Sequence, residues 1–166
     1  MLSVVATLAV PATPAHVIQA DRTIAGLHFA GARPTDAATR FGHPATSRAH
    51  TSGGCRQSWP GLGLVLLYLD LYATRPCTTG RLAGATVTNR PRWRTAVGLR
   101  VGDTTARLRA LYPRATRHHG YGAWNGFWLV TRHVCKEVGG GAYPALLARV
   151  PGGHVSPLVV ILGVCE

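Results

Sequence analysis

The chain has 166 residues, 46% of them hydrophobic, and carries 18 lysine and arginine residues against six acids for a formal charge of +12. That length and apolar content exclude intrinsic disorder and allow one compact domain or two small ones packed together. The charge favours acidic partners such as nucleic acid, anionic glycan, phospholipid or an acidic protein face, although 17 of the 18 cations are arginine in an Ala-, Gly- and Pro-rich background, as a GC-rich genome writes by default.

Residues 1–20 read as a signal peptide. Met1 to Val10 is an uncharged apolar run followed by small residues, with Thr13-Pro14-Ala15 and Ile18-Gln19-Ala20 as candidate cleavage sites. The run lacks a basic flank, and no cysteine follows it to take a lipid. No other apolar stretch approaches the roughly 20 residues that a spanning helix needs, so a secreted or extracytoplasmic chain without a membrane span is expected.

Beyond the leader, two stretches read as one structural unit written twice, at 21–92 and 93–166. Gly26-Leu27-His28-Phe29-Ala30-Gly31 returns as Gly98-Leu99-Arg100-Val101-Gly102, and Trp59-Pro60-Gly61-Leu62-Gly63-Leu64-Val65 returns as Trp124-Asn125-Gly126-Phe127-Trp128-Leu129-Val130. Between them lies a short helix in each unit. In the first, Thr35 is the expected N-cap, Ala37, Ala38 and Phe41 the apolar face, and Gly42 with Pro44 the stop. In the second, Asp103 is the expected N-cap, Leu108, Leu111 and Tyr112 form the stripe, and Pro113 ends it. Helices this short need a sheet to pack on.

Strands follow. The nearly unbroken apolar run at 62–71 is expected to be covered on both faces or buried at the junction of the units. Further strands are expected at 82–89, 127–134, 145–150 and 155–163, the last two joined by a Pro151-Gly152-Gly153-His154 turn. Loops fall at 51–54 and 139–141. The fold class is therefore α+β: two tandem copies of a short helix followed by an antiparallel meander, with their sheets packed or continuous across a pseudo-two-fold axis. Each unit holds two cysteines, so pairing within units is expected, Cys55 with Cys77 and Cys135 with Cys165, out of three possible connectivities. Each closed ring would stabilise by about 3 kcal/mol.

Trp93-Arg94-Thr95 before Gly98 to Asp103, then Leu111-Tyr112-Pro113, together with the matching Gly-Leu motif of the first unit, resembles the small unit of the SmpA/OmlA outer-membrane lipoproteins and the tandem-repeat β-lactamase inhibitory proteins. It also resembles secreted proteins of actinobacterial type. The resemblance covers most of residues 23–165 and implies a tandem α+β fold. Its motifs are structural glycines and core residues, so no inhibitory contact residue carries over, and the lipidated cysteine of SmpA/OmlA has no counterpart here.

No site pattern for catalysis or metal is expected. The eight histidines lack zinc-site spacing, the five serines lie outside any nucleophile elbow, and the few acids are taken up by caps and termini. No cofactor is expected. The strongest positive signal is a basic segment, with Arg90, Arg92, Arg94, Arg100, Arg107, Arg109, Arg114 and Arg117 opposed there only by Asp103, and Trp93 and Tyr112 interleaved. Guanidinium forks suit phosphate, sulfate and carboxylate. Trp59 and Trp124 are expected in the core or at the junction, whereas Trp128, aligned with Gly63 of the first copy, is the candidate interface anchor. The function expected is binding of another exported or envelope protein through the tandem sheet. The alternatives are an arginine-based binder of anionic polymer (wall polymer, glycan or nucleic acid) and a hydrolase of unrecognised type.

Overall fold

A computed structural model describes residues 16–20, 22–70, 74–88, 93–119, 124–134 and 141–162. Three short strands come first, β1 (His16–Gln19), β2 (Thr23–Ile24) and β3 (Leu27–His28), then α1 (Pro34–Phe41). A meander of β4 (Thr46–Ala49), β5 (Gly54–Trp59), β6 (Leu64–Leu69) and β7 (Arg81–Val87) follows, with a 3-10 turn at Pro60–Leu62 and the one-turn helix α2 (Pro76–Thr79) in its connections. Next come β8 (Trp93–Thr95) and α3 (Thr105–Leu111). The second meander consists of β9 (Thr116–Arg117), β10 (Phe127–Val134), β11 (Ala142–Arg149) and β12 (Leu158–Ile161).

Two sheets result. The larger has eight strands in the order β4-β5-β6-β7-β12-β11-β10-β9, so each meander forms one half and the two last strands meet in the middle. There β7 and β12 run antiparallel, with Val87 opposite Leu158 and Ala85 opposite Val160. The smaller sheet, β3-β2-β1-β8, takes strands from both parts of the sequence, and β1 and β8 run parallel with Ile18 opposite Thr95.

The core lies on one face of the large sheet. Alternation sends Trp59, Leu64, Leu66, Tyr68, Ala85, Val87, Leu158, Val160 and Trp128 into one cluster with Ile18, Ile24, Leu27 and Phe29 from the small sheet side, Ala37 of α1 and Leu108 of α3. Trp93 is fully buried and its indole N–H donates to the Leu62 carbonyl at 2.8 Å; the indole of Trp59 does the same to Gly42 at 2.9 Å. The two Gly-Leu segments take matching conformations. Gly26 and Gly98 both have positive φ, 85° and 96°, Leu27 and Leu99 are both buried, and Ala30 and Gly102 again have positive φ, 60° and 95°.

Several expectations change. The helix caps shift: α1 starts at Pro34 with Arg33 as N-cap, and α3 is capped by Thr104, whose Oγ1 accepts from the Arg107 N–H at 3.2 Å. Asp103 instead accepts from the Arg100 N–H at 2.8 Å, tightening the turn before the helix. Leu108, not Leu111, is the fully buried helix residue. The run at 62–71 forms β6 at Leu64–Leu69 and is covered on one face only, for Leu67 and Leu69 are each 39% exposed. Of the expected loop at 51–54, Gly54 opens β5, and 50–53 are the tight connection of a hairpin whose first strand, β4, is polar or small and exposed throughout and so gave no periodic signal. The two Trp-led turns occupy different places: that after Trp59 joins the second and third strands of its meander, that after Trp124 the first and second. Gly63 therefore lies in a turn while Trp128 lies in a strand, and they are not equivalent.

At the N-terminus, β1 is hydrogen-bonded on both edges and Ile18 is 0% exposed. Cleavage after Ala20 would delete this strand, whereas cleavage after Ala15 would leave it whole; residues 1–15 lie outside the described residues. Cys55 on β5 and Cys77 on α2 form a disulfide, while Cys135 and Cys165 lie outside the described residues. Among the described residues no helix is long and apolar enough to cross a membrane.

Candidate functional site

A strand with one face in the core presents every second side chain on the other face. On the large sheet that second set is also apolar. Leu67 of β6 lies between Arg56 of β5 and Gly84 of β7, Gly84 lies beside Ile161 of β12, and Val65 continues through Thr86 to Val159 and then to Leu147 of β11, which is fully buried, so the open part of the face ends at β12. Along the β7–β12 seam these residues line a groove of about 470 Å³, with Val65, Leu67, Val159 and Ile161 as its walls and Arg56 and Trp124 completing it. Gly84 sets its floor: a Cβ there would stand 3.2 Å from the Val160 carbonyl oxygen and would fill the space.

Trp124 reaches this face from the turn before β10. The turn closes through the Phe127 N–H to the Trp124 carbonyl at 3.0 Å, with Gly126 at φ 78°, and the indole meets the Phe127 ring edge-on at 5.8 Å. Trp124 is 36% exposed, so of the two expected places, core or junction, it takes the one beside the junction of the meanders. Trp128, the expected anchor, is only 8% exposed, points to the helix side, and carries the Arg109 guanidinium 5.0 Å above its ring. Trp128 is thus the buried indole and Trp124 the open one, because the turn at 124–126 and the strand alternation after it decide which face each one takes.

The open face is also electropositive. Register places Arg48 beside Arg56 and Arg149 beside Phe127 on it. The described acids are engaged elsewhere. Asp36 accepts from the Arg33 N–H at 2.8 Å, Asp103 from that of Arg100, and Asp70 from the Thr79 hydroxyl at 3.1 Å. An exposed apolar strip flanked by guanidinium groups can hold an apolar side chain of a partner while pairing with neighbouring carboxylates.

The basic segment does not form one surface. Arg94 belongs to β8 in the small sheet, Arg107 and Arg109 to α3, Arg114 to the turn that follows, and Arg117 to β9, directly across from Trp128. Arg92 lies outside the described residues. The structure brings Arg109 and Arg117 to Trp128 and leaves Arg94 apart. Trp93 and Tyr112 are not ligand-facing aromatics, since Trp93 is buried and Tyr112 half-buried. Among the described residues no three His, Cys, Asp or Glu side chains are grouped to hold a metal ion. The residues that sequence reading missed are Leu67, Leu69, Trp124, Arg48 and Arg56. Their signal was present in the leucine run, which lacks the polar alternate positions of a strand with one solvated face.

Comparison of the chain with known protein families, with characterised proteins and with solved structures gives no match in any of the three.

Proposed function

We propose that this is a secreted, non-enzymatic binding protein that docks another exported or envelope protein on the open face of its large sheet. The observation that carries the reading is the pair of exposed apolar side chains at the seam groove, Leu67 and Trp124, continued along the same face of β6 by Leu69 and with Arg56 beside them. A contiguous apolar patch on an otherwise well-packed chain marks an interaction surface, and a tryptophan beside a pocket is the usual energetic centre of one. The tandem reading accompanies it. Helix-plus-meander units repeat in order, their Gly-Leu segments match in conformation and burial, and the groove falls where the two meanders meet. These features support a duplicated unit with its binding site on the pseudo-two-fold seam, and with it the kinship to SmpA/OmlA and β-lactamase inhibitory proteins that the motifs imply.

A second reading, binding of an anionic polymer, is favoured by Arg109 and Arg117 converging on Trp128. Affinity capture from secreted and envelope fractions separates the two. A partner held through the open face persists at high salt and is lost with Leu67→Asp or Trp124→Ala, while Arg109→Ala with Arg117→Ala leaves it in place. Polyanion binding instead weakens steeply with salt, follows the arginines and ignores Leu67. Capture that is indifferent to Leu67→Asp and Trp124→Ala removes the open-face reading.

A further inference from the structure

The two outer edges of the large sheet are finished differently. At one, β4 pairs with β5 from Thr46 to Ala49, and every one of its residues is polar or small and exposed, the protected kind of edge. At the other, β9 meets β10 at only two positions, Arg117 opposite Trp128 and Thr116 opposite Leu129, although β11 pairs with β10 along its whole length to Val134. N-terminal to Thr116 the chain turns away, with the Ala115 N–H closing on the Tyr112 carbonyl at 2.9 Å. Val130, Thr131 and Arg132 of β10 are thereby left with no partner strand on their outer side among the described residues. The space opened between them and the departing chain is a groove of about 740 Å³, larger than that on the open face.

Its lining is mixed. Leu111, Pro113, Val130 and Val134 supply apolar walls, and Arg114 and Arg132 supply two exposed guanidinium groups, with no carboxylate among the described lining residues. The Thr131 hydroxyl oxygen, also in the lining, is buried without a hydrogen-bond partner among the described residues. A strand edge, an apolar trough and unpaired positive charge together describe what an extended chain needs: backbone hydrogen bonds for affinity, and alternate pockets with charge for selection.

We propose that the outer edge of β10 at Val130–Arg132 is a second interaction site, which takes an extended acidic segment of a partner protein as an added strand. The segment alternates β-branched residues, which enter the groove, with carboxylates that pair with Arg114 and Arg132. This site lies on the sheet's edge and does not depend on the open face.

The test uses the full chain and an acetylated nonapeptide of alternating glutamate and valine as probe. Saturable binding in fluorescence anisotropy, with hydrogen-exchange protection appearing at Val130–Arg132, is expected. The double variant Arg114→Glu, Arg132→Glu, altered only at exposed positions, should weaken binding at least about tenfold. Because successive amides of a strand point to opposite edges, N-methylation of all the glutamates or of all the valines should abolish binding for one set and spare it for the other, with the protein itself unaltered. Equal effects of the two N-methylated peptides, protection located elsewhere than β10, or the same protection from a heparin oligosaccharide, which has no amide backbone to add, would each overturn the proposal.

Discussion

The Tyr68 side chain is enclosed in the core, and its hydroxyl has no hydrogen-bond partner among the described residues. An unpaired buried hydroxyl costs more than it contributes. Tyr68→Phe should therefore leave stability unchanged or raise it by up to about 1 kcal/mol, read as the urea midpoint; a loss of more than that would reveal a partner for the hydroxyl. The same burial, with a smaller push from the Asp36 carboxylate, raises the phenol well above the ordinary tyrosine range. Tyr112 is raised by burial too, against the opposing pull of its hydrogen bond to Thr95. The unfolded chain releases these protons near pH 10, whereas the folded chain holds them to higher pH. Stability is thus full below about pH 10 and falls as pH rises beyond it, and Tyr68→Phe should flatten that fall in midpoints taken between pH 9 and 12. At this scale residue type was readable but direction was not. Trp128 and Trp124 differ in fate because a three-residue turn and strand parity separate them, and parity is set by pairing partners that sequence alone does not supply.

Among the elements, α3 shows how a seven-residue helix is held. Thr104 caps its first turn and Leu108 anchors it in the core with no exposed surface. Leu108→Ala should cost about 2 to 5 kcal/mol and Thr104→Ala about 1 kcal/mol, both by denaturant titration, while Arg107→Ala stays within about 0.5 kcal/mol. Equal costs for Leu108→Ala and Arg107→Ala would mean that α3 does not pack as described. Both longer helices were legible from their stripes and stop signals, as was β10 to the residue. β4 and α2 were not, because neither carries an apolar period: β4 is held by its hairpin partner and α2 by the Cys55–Cys77 bridge. β1 was hidden for the opposite reason, since its Val-Ile pair falls inside the segment expected to be a leader and beside one of its expected cleavage sites.

For the molecule as a whole, the helix-and-meander order was readable, and whether the sheets would pack or join was left open; the β7–β12 pairing makes them one sheet. The small sheet escaped notice because two of its strands have only two residues each and its longest strand sat inside the expected leader. That placement makes a sharp expectation about the mature end. A chain beginning at His16 should unfold cooperatively and fully retain its stability, whereas one beginning at Arg22 loses Ile18 from the core and should unfold at markedly lower denaturant or fail to fold; identical midpoints would show that β1 is dispensable. The candidate site was half legible, its leucines visible as an excess and its arginines invisible among so many.

The parallel pair of β1 and β8 has a consequence for the order of events when the polypeptide is made. His16–Gln19 leaves a ribosome or a translocation pore long before Trp93–Thr95, which seals its second edge and lies more than 70 residues further along the chain. Until then the small sheet is incomplete and Ile18 has no enclosed seat. The nascent chain therefore cannot close its core early, and the polypeptide stays threadable for as long as its middle is still on the way.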